Sequence, residues 1–360
     1  MSVRVTRYLA QAVVTASALA ASSAAFATEP LCDKADIRIV NSMREIAQPF
    51  HAALDKGGRM FAEWAGLADQ YVLQLNQGDS DKQVSLMRSL LATKPECVIF
   101  NVEPNSDTAY QPMIETANET GAWLITHWGH PVNLTVTEND NWAAHVAVNA
   151  NDAGVAISQT IVDAIGGEGG IVALQGRLDT DTAQGRFKGL EQVLAENPKV
   201  KLLDHQTANW DRTAAFPIVQ AWLTKYGSEI KAIWAGNDDM ALGAVEALRA
   251  AGLAGKIPVV GVDGIPEAIQ AVDKGEMIMT VSSDATYQGS IGLALGYCVV
   301  TGQLPLPKDW PAEHRDFYLK LIQITKENAA QYLVDPVSAS YIDTWECDKV
   351  FSRSVGPAAG

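Results

Sequence analysis

The chain has 360 residues, 48% of them hydrophobic and 19% charged, with a formal net charge of −15. That length suggests roughly two domains, and so acidic a balance argues against nucleic acid, whose recognition needs a basic footprint. It sets no limit on a small neutral ligand.

The chain opens with Arg4 and Arg7, an apolar, small-residue stretch from Leu9 to Ala21, and then Ala25-Phe26-Ala27. A positive start, an apolar middle and a small-x-small site read as an export signal cut after Ala27. Gln11, Thr15 and Ser17 interrupt the apolar stretch, which falls short of the ~20 apolar residues of a membrane span. Cys32 follows Glu-Pro-Leu, not the small residues of a lipid-anchor site. Export permits disulfides among Cys32, Cys97, Cys298 and Cys347. Cys32 and Cys347 lie near the two ends and could staple the tails together. Cys97 and Cys298 sit in apolar flanks, either as a second bridge or as buried thiols. No CxxC spacing occurs and no His sits at ligand spacing beside a Cys, which argues against zinc.

Strand and helix signals then alternate. A short apolar run at 37–40 precedes a helical stretch at 49–66; a strand at 71–75 precedes a helix at 81–93. The buried run 97–101, a helix at 106–120 and a strand at 123–126 complete the first set. The second set has a helix at 153–165, then strands at 171–176, 201–206, 232–236, 258–264 and 278–283. Helices at 182–196, 213–226 and 239–251 lie between them. Short apolar runs separated by helices of 10–15 residues indicate βαβ units and parallel sheets. Two such sets, with polar breaks at 146–151 and 282–286, predict an α/β protein of two similar doubly wound lobes.

Open α/β sheets bind ligands beyond the carboxyl ends of their strands, so the residues just after each strand are the candidates. They are Gln48, Phe50 and His51; Asn101 and Glu103; His127 and Trp128; Arg177 and, on the next helix, Arg186; Asn209, Trp210 and Asp211; Asn237, Asp238 and Asp239; Asp263; and Ser282, Ser283 and Asp284. Asp accepts two hydroxyls, Arg donates in a rigid fork, and aromatic rings cover the apolar faces of a sugar. Any one of these residues could equally be a cap or a turn; their shared position favours a site.

Two segments, WAGNDDMALGAVEAL (234–248) and IPVVGVDGIPEAIQAVDKGEMIMTV (257–281), resemble the type I periplasmic sugar-binding proteins, in particular the ribose-binding branch. QPFHAALDKG (48–57), VIFNVEPNSD (98–107) and ALQGRLDTDTAQGRFKGL (173–190) extend the resemblance over about 36–325. It implies lobes joined by a multi-strand hinge: 36–149 plus 284–310, and 150–283 plus 311–325, with a tail at 326–360. It implies ligand contacts at Gln48, Phe50, His51, Asn101, His127 and Trp128 in the first lobe, and at Asn149 near the hinge. Arg186, Trp210, Asn237 and Asp263 would form the second wall, with Ser283 on the hinge side. Phe50 and Trp210 would stack on the ligand. Where ribose binders carry an Asp-Arg pair, this chain has His127-Trp128, and His51 replaces an aromatic residue. The resemblance therefore implies a monosaccharide or sugar alcohol other than ribose, held by hinge closure and passed to a membrane permease of the ABC type by a monomeric periplasmic protein. The same fold could instead serve a sensory receptor.

A secreted carbohydrate enzyme is the rival from another class, but neither a nucleophile elbow nor a paired-acid arrangement is present. Asp238-Asp239 precede a helix and read as caps. GGEGG (166–170) lies between a helix and a strand, the reverse of a phosphate cradle. His127 and His130 flank Gly129 after a strand, so helical spacing for a metal pair is not expected. No cofactor is expected.

Overall fold

The computed structural model describes residues 29–129, 133–334 and 340–357. The segment read as an export signal, and His130, lie outside the described residues. The first set of elements is β1 (Ile37–Met43), α1 (Pro49–Ala65), β2 (Tyr71–Leu75), α2 (Ser80–Leu91), β3 (Cys97–Val102), α3 (Tyr110–Thr120), β4 (Trp123–His127) and β5 (Trp142–Ala147). The second is α4 (Ala150–Ala164), β6 (Gly169–Gln175), α5 (Asp181–Glu196), β7 (Val200–Thr207), α6 (Arg212–Tyr226), β8 (Ile230–Ala235), α7 (Asp238–Ala250), β9 (Val259–Asp263), α8 (Pro266–Lys274) and β10 (Met279–Ser282). There follow α9 (Ala285–Val300), α10 (Ala312–Arg315), β11 (Asp316–Leu319), β12 (Ile322–Thr325), α11 (Ala329–Val334), α12 (Ser340–Trp345) and β13 (Ser354–Pro357).

The strands form two sheets, ordered β13-β11-β5-β4-β3-β1-β2 and β12-β10-β9-β8-β6-β7. The five strands of each βα set lie in the same relative order and pair in parallel. Each sheet therefore reverses its winding at one point, between β1 and β3 and between β6 and β8, and opens a crevice there. β3, β5 and β9 are buried along their whole length, as expected of strands covered on both faces by helices. β5 escapes the sequence reading because no helix separates it from β4 and its run, WAAHVA, carries two alanines and a histidine in the middle.

The chain passes between lobes after β5, after β10 and between β11 and β12. This corrects the expected boundary, which puts all of 311–325 in the second lobe. β11 pairs with β5 in the first sheet, with Phe317 fully buried, whereas β12 pairs with β10 in the second. The tail is not an appendage either. β13 pairs with β11, and Trp345 buries its ring against Phe61 while its Nε1 donates to Ser290 Oγ.

The expected stapling of the tails to each other is also corrected. Cys32 is bonded to Cys97, and Cys298 to Cys347. Cys97 opens β3 beside the start of β1, where the chain enters from Cys32, and Cys298 lies on α9 where α12 packs. Each tail is thus tied separately to the first lobe, and among the described residues no cysteine is free. Arg315 makes a further tie in this lobe: its guanidinium is buried and donates to the carbonyls of Ala143, Trp142, Val136, Asn139 and Pro307. No helix among the described residues is long and apolar enough to cross a membrane.

Candidate functional site

A cavity lies between the lobes, beyond the carboxyl ends of β1, β3, β6, β8 and β9. The cavity volume is about 70 Å³. At roughly 10–15 Å³ per water, it holds some five to seven waters, which is the scale of one small polar molecule. Eight of the twelve contacts implied by the family resemblance line it: Gln48, Phe50, His51 and Trp128 from the first lobe, and Arg186, Trp210, Asn237 and Asp263 from the second.

The second wall is built around Arg186, 2% exposed. Its Nη1 donates to the Gly236 carbonyl at 2.6 Å, and its Nη2 lies 3.7 Å from Asp263 Oδ1. Its Nε has no hydrogen-bond partner. The guanidinium carbon sits 5.3 Å from the ring centre of Trp128 and 5.4 Å from that of Trp210, so two indoles flank one cation. Burial pushes the Asp263 carboxyl well above the usual range; Arg186 opposes this, and Asp238 adds to it. Asp238 is not a ligand group. Its carboxylate accepts from the Gly264 and Ile265 amides and from Thr280 Oγ1, fixing the turn that presents Asp263.

Backbone strain marks the same residues. Trp128, Trp210 and Asp263 have φ of 75°, 67° and 131°, a region that non-glycine residues enter at a cost of about 1–3 kcal/mol. Trp210 can lie flat over the end of β6 only because residue 176 is glycine: a Cβ there would meet the indole at 2.1 Å. Asn237 caps α7, its Oδ1 accepting from the Met240 amide, while its Nδ2 reaches the Trp210 carbonyl at 3.4 Å. The capping reading and the site reading thus hold for the same side chain.

In the first wall, Pro49 at the first turn of α1 turns Phe50 and His51 toward the cavity. Phe50 meets Trp128 edge-on at 5.2 Å. Gln48 reaches across the cleft, its Nε2 3.4 Å from the Trp210 carbonyl. His51, 3% exposed, places Nε2 2.8 Å from Glu103 Oε2. Arg44, Glu103, Ser106, Asp107 and Tyr110 also line this wall, and Thr180 and Thr182 the other. The strand-end rule could have found Arg44, which directly follows β1. Ser106, Asp107, Tyr110, Thr180 and Thr182 carry no comparable signal, because they sit several residues past their strands.

Four expected contacts lie elsewhere. Asn101 points under the floor, donating to Asn41 Oδ1 and the Gln288 carbonyl, and His127 Nε2 bonds Asn101 Oδ1. Both strand-end side chains alternate toward α9 rather than toward the cavity. Ser283 is buried in the crossing after β10. Asn149 caps α4, accepting from the Asp152 amide, and borders a separate groove with Tyr318 and Lys320. Among the described residues no cluster of His, Cys, Asp and Glu could hold a metal ion.

The family profile described as periplasmic binding protein domain matches residues 39–304. A xylitol-binding protein of Mycolicibacterium smegmatis is 36% identical over 225 residues, covering 62% of each chain, so the match spans about three-fifths of that relative. The crystal structure of a twin-arginine translocation pathway signal protein from Burkholderia phytofirmans superposes with a TM-score of 0.84 at 34% identity, covering 90% of this chain and 98% of that one. A periplasmic solute-binding protein of an ABC transporter from Actinobacillus succinogenes, solved with bound D-allose, has a TM-score of 0.71 at 26% identity, covering 82% and 99%.

Proposed function

The chain belongs to the periplasmic binding protein family, a family of binding proteins rather than enzymes, and we propose that its cleft closes over one monosaccharide or sugar alcohol other than ribose. The observation that carries this reading is the cavity itself. Its walls come from both sheets, and it combines aromatic rings (Phe50, Trp128, Trp210) with donors and acceptors (Arg186, Asn237, Asp263, His51). Rings suit the C–H faces of a polyol and the polar groups suit its hydroxyls. A xylitol-binding relative and an allose-bound neighbour support this ligand class.

Only the closed form makes both sets of contacts, so ligand shifts the population toward closure by its differential affinity. The closed protein, a monomer exported to the periplasm, then presents itself to an ABC permease. A thermal-shift screen against pentoses, hexoses and polyols tests the ligand class. A ligand at 100 times its dissociation constant should stabilise the protein by about 2.7 kcal/mol. Absence of any shift at millimolar concentrations, or chemical turnover of the bound sugar, would refute the reading.

A further inference from the structure

We propose that Arg44 and Glu103 are the acid–base pair of the first wall, which grips hydroxyls of a neutral polyol opposite Arg186 and Asp263. The inference rests on the cleft being a sugar or polyol site and adds the two residues that set its specificity in the first lobe. The family resemblance implies neither residue: it places such a pair at 127 and 128, where this chain has His and Trp. His127 is turned under the floor, whereas Arg44 and Glu103 both line the cavity.

The two residues leave the first sheet side by side, at the point where its winding reverses. Ser42 on β1 pairs with Val102 on β3, and Arg44 and Glu103 lie just past that pair. Their backbones are held. The Glu103 amide donates to the Ser42 carbonyl at 3.0 Å, and the Gln77 amide donates to the Arg44 carbonyl at 2.7 Å. Gln83, fully buried, donates from Nε2 to the Glu103 carbonyl at 2.9 Å and to Ser42 Oγ at 3.2 Å. Side chains carried on strand ends braced in this way are placed more sharply than side chains on free loops.

Both side chains have bonding capacity to spare. Arg44 is half-buried, and among the described residues its guanidinium makes no hydrogen bond and no ion pair; its Nε is buried without a partner. An arginine carries five N–H donors and keeps its charge, so leaving them unmet away from water is costly. Arg177 of the second lobe shares the cleft mouth with Arg44, but it is closed on Asp179 by two bonds, at 3.1 and 2.7 Å. Glu103 Oε2 lies 2.8 Å from His51 Nε2 without hydrogen-bond geometry, and the Glu103 side chain keeps 17% exposure. A carboxyl offers acceptors in either protonation state. The second wall has the same make-up: Arg186 Nη2 lies 3.7 Å from Asp263 Oδ1, and Arg186 Nε is buried without a partner. Each lobe thus brings one guanidinium and one carboxyl to a space the size of one small molecule. Hydroxyls suit both, accepting from a guanidinium N–H and donating to a carboxyl oxygen. Each wall answers its own cation with an acid, which suits a neutral polyol and disfavours a sugar acid, whose carboxylate would meet Glu103, Asp107 or Asp263.

Titration calorimetry of the full exported protein with xylitol, D-allose, their monodeoxy analogues and xylonate tests the pair. Arg44→Met keeps an apolar stem and removes the fork; Glu103→Gln keeps the shape and removes the acid. Each should weaken the better of xylitol and D-allose about 10- to 100-fold, and xylonate should bind the wild type more weakly than xylitol. The deoxy analogue that loses most against its parent in the wild type should lose less in at least one variant, because the partner of the missing hydroxyl is already gone. A merely structural role would not move that ranking, and the calorimetric stoichiometry separates a misfolded fraction from a weakened site. Wild-type binding that neither variant weakens, or a preference for xylonate over xylitol, would overturn the pair and leave the cleft a carbohydrate site. If none of these compounds binds the wild type, the reading of the cleft falls and the pair falls with it.

Discussion

The guanidinium of Arg186, on α5 of the second lobe, lies 5.3 Å from the ring centre of Trp128, which follows β4 in the first. This cation–π contact crosses the cleft, so it exists only while the lobes are closed. At a desolvated site it contributes about 2 kcal/mol, and Trp128→Ala should therefore weaken ligand binding roughly thirtyfold by disfavouring closure. Titration calorimetry gives the loss. Unchanged affinity would mean that Trp128 covers the cavity without helping to hold it shut.

Asp263 balances Arg186 from within the same wall, at 3.7 Å. Asp263→Ala should abolish the ligand-induced thermal shift. It also removes the acid that faces the buried Arg186 guanidinium, so stability should fall as well. Asp263→Asn keeps the shape and the strained backbone position while replacing the carboxyl by an amide, and separates the two effects. If Asp263→Asn binds as tightly as wild type, hydroxyl recognition does not depend on this carboxylate.

The alternation of apolar runs with helices made both lobes legible, because strands covered on both faces must be apolar throughout. The second wall was legible too: Asn237 and Asp263 stand at the ends of β8 and β9, and the family resemblance points to Arg186 on the helix after β6; all three line the cavity. The first wall was less so. Asn101 and His127 also end strands, but the alternation of side chains along β3 and β4 sends them to the opposite face, and no spacing in the sequence states which face is which. Arg44 was in reach of the same rule; Tyr110 and Asp107 were not, since a loop carries them back to the cavity. The disulfide pairing was illegible because it depends on where the two tails pack, and Trp345 settles that by tertiary contact with Phe61.

His127 gives the protein an acid sensitivity. Desolvation holds its imidazole down at about 4, against the attraction of Glu103, whereas in the unfolded chain it titrates near 6.5. Between these values the unfolded state binds the extra proton, so the contribution of His127 is fully present above pH 6.5 and is lost as pH falls toward 4. The loss approaches roughly 3 kcal/mol. Urea denaturation of wild type and His127→Gln across this range should show a pH-dependent difference of that sign. A constant difference would mean that the buried imidazole takes up its proton without unfolding.

Each disulfide closes a long loop, with sequence separations of 65 and 49 residues. Chain-entropy estimates give about 4 kcal/mol for loops of that length. Cys298→Ala with Cys347→Ala should lower the melting temperature markedly, since this bridge pins the tail across α9. Ligand affinity should change less, because neither cysteine approaches the cavity. A double variant that melts like wild type would show that Trp345 and β13 hold the tail unaided.

The tail also meets the hinge. Arg353 Nη2 lies 2.7 Å from Asp284 Oδ2, and its guanidinium carbon stands 4.1 Å from the ring centre of Tyr287. Asp284 is the N-cap of α9, in the left-handed region at φ 55°, at the crossing from β10 back to the first lobe. β13, one residue further on, pairs with β11 just before another crossing, and Val355 borders the groove that contains Asn149 at the remaining one. A segment that touches all these crossings is placed to bias hinge rotation. Arg353→Ala removes a partly buried ion pair and a ring contact together, about 1 kcal/mol. It should change ligand affinity roughly fivefold without touching the cavity, and small-angle scattering of the unliganded protein should show an altered balance of open and closed forms. An affinity and a scattering profile identical to wild type would confine the tail to stabilising the first lobe.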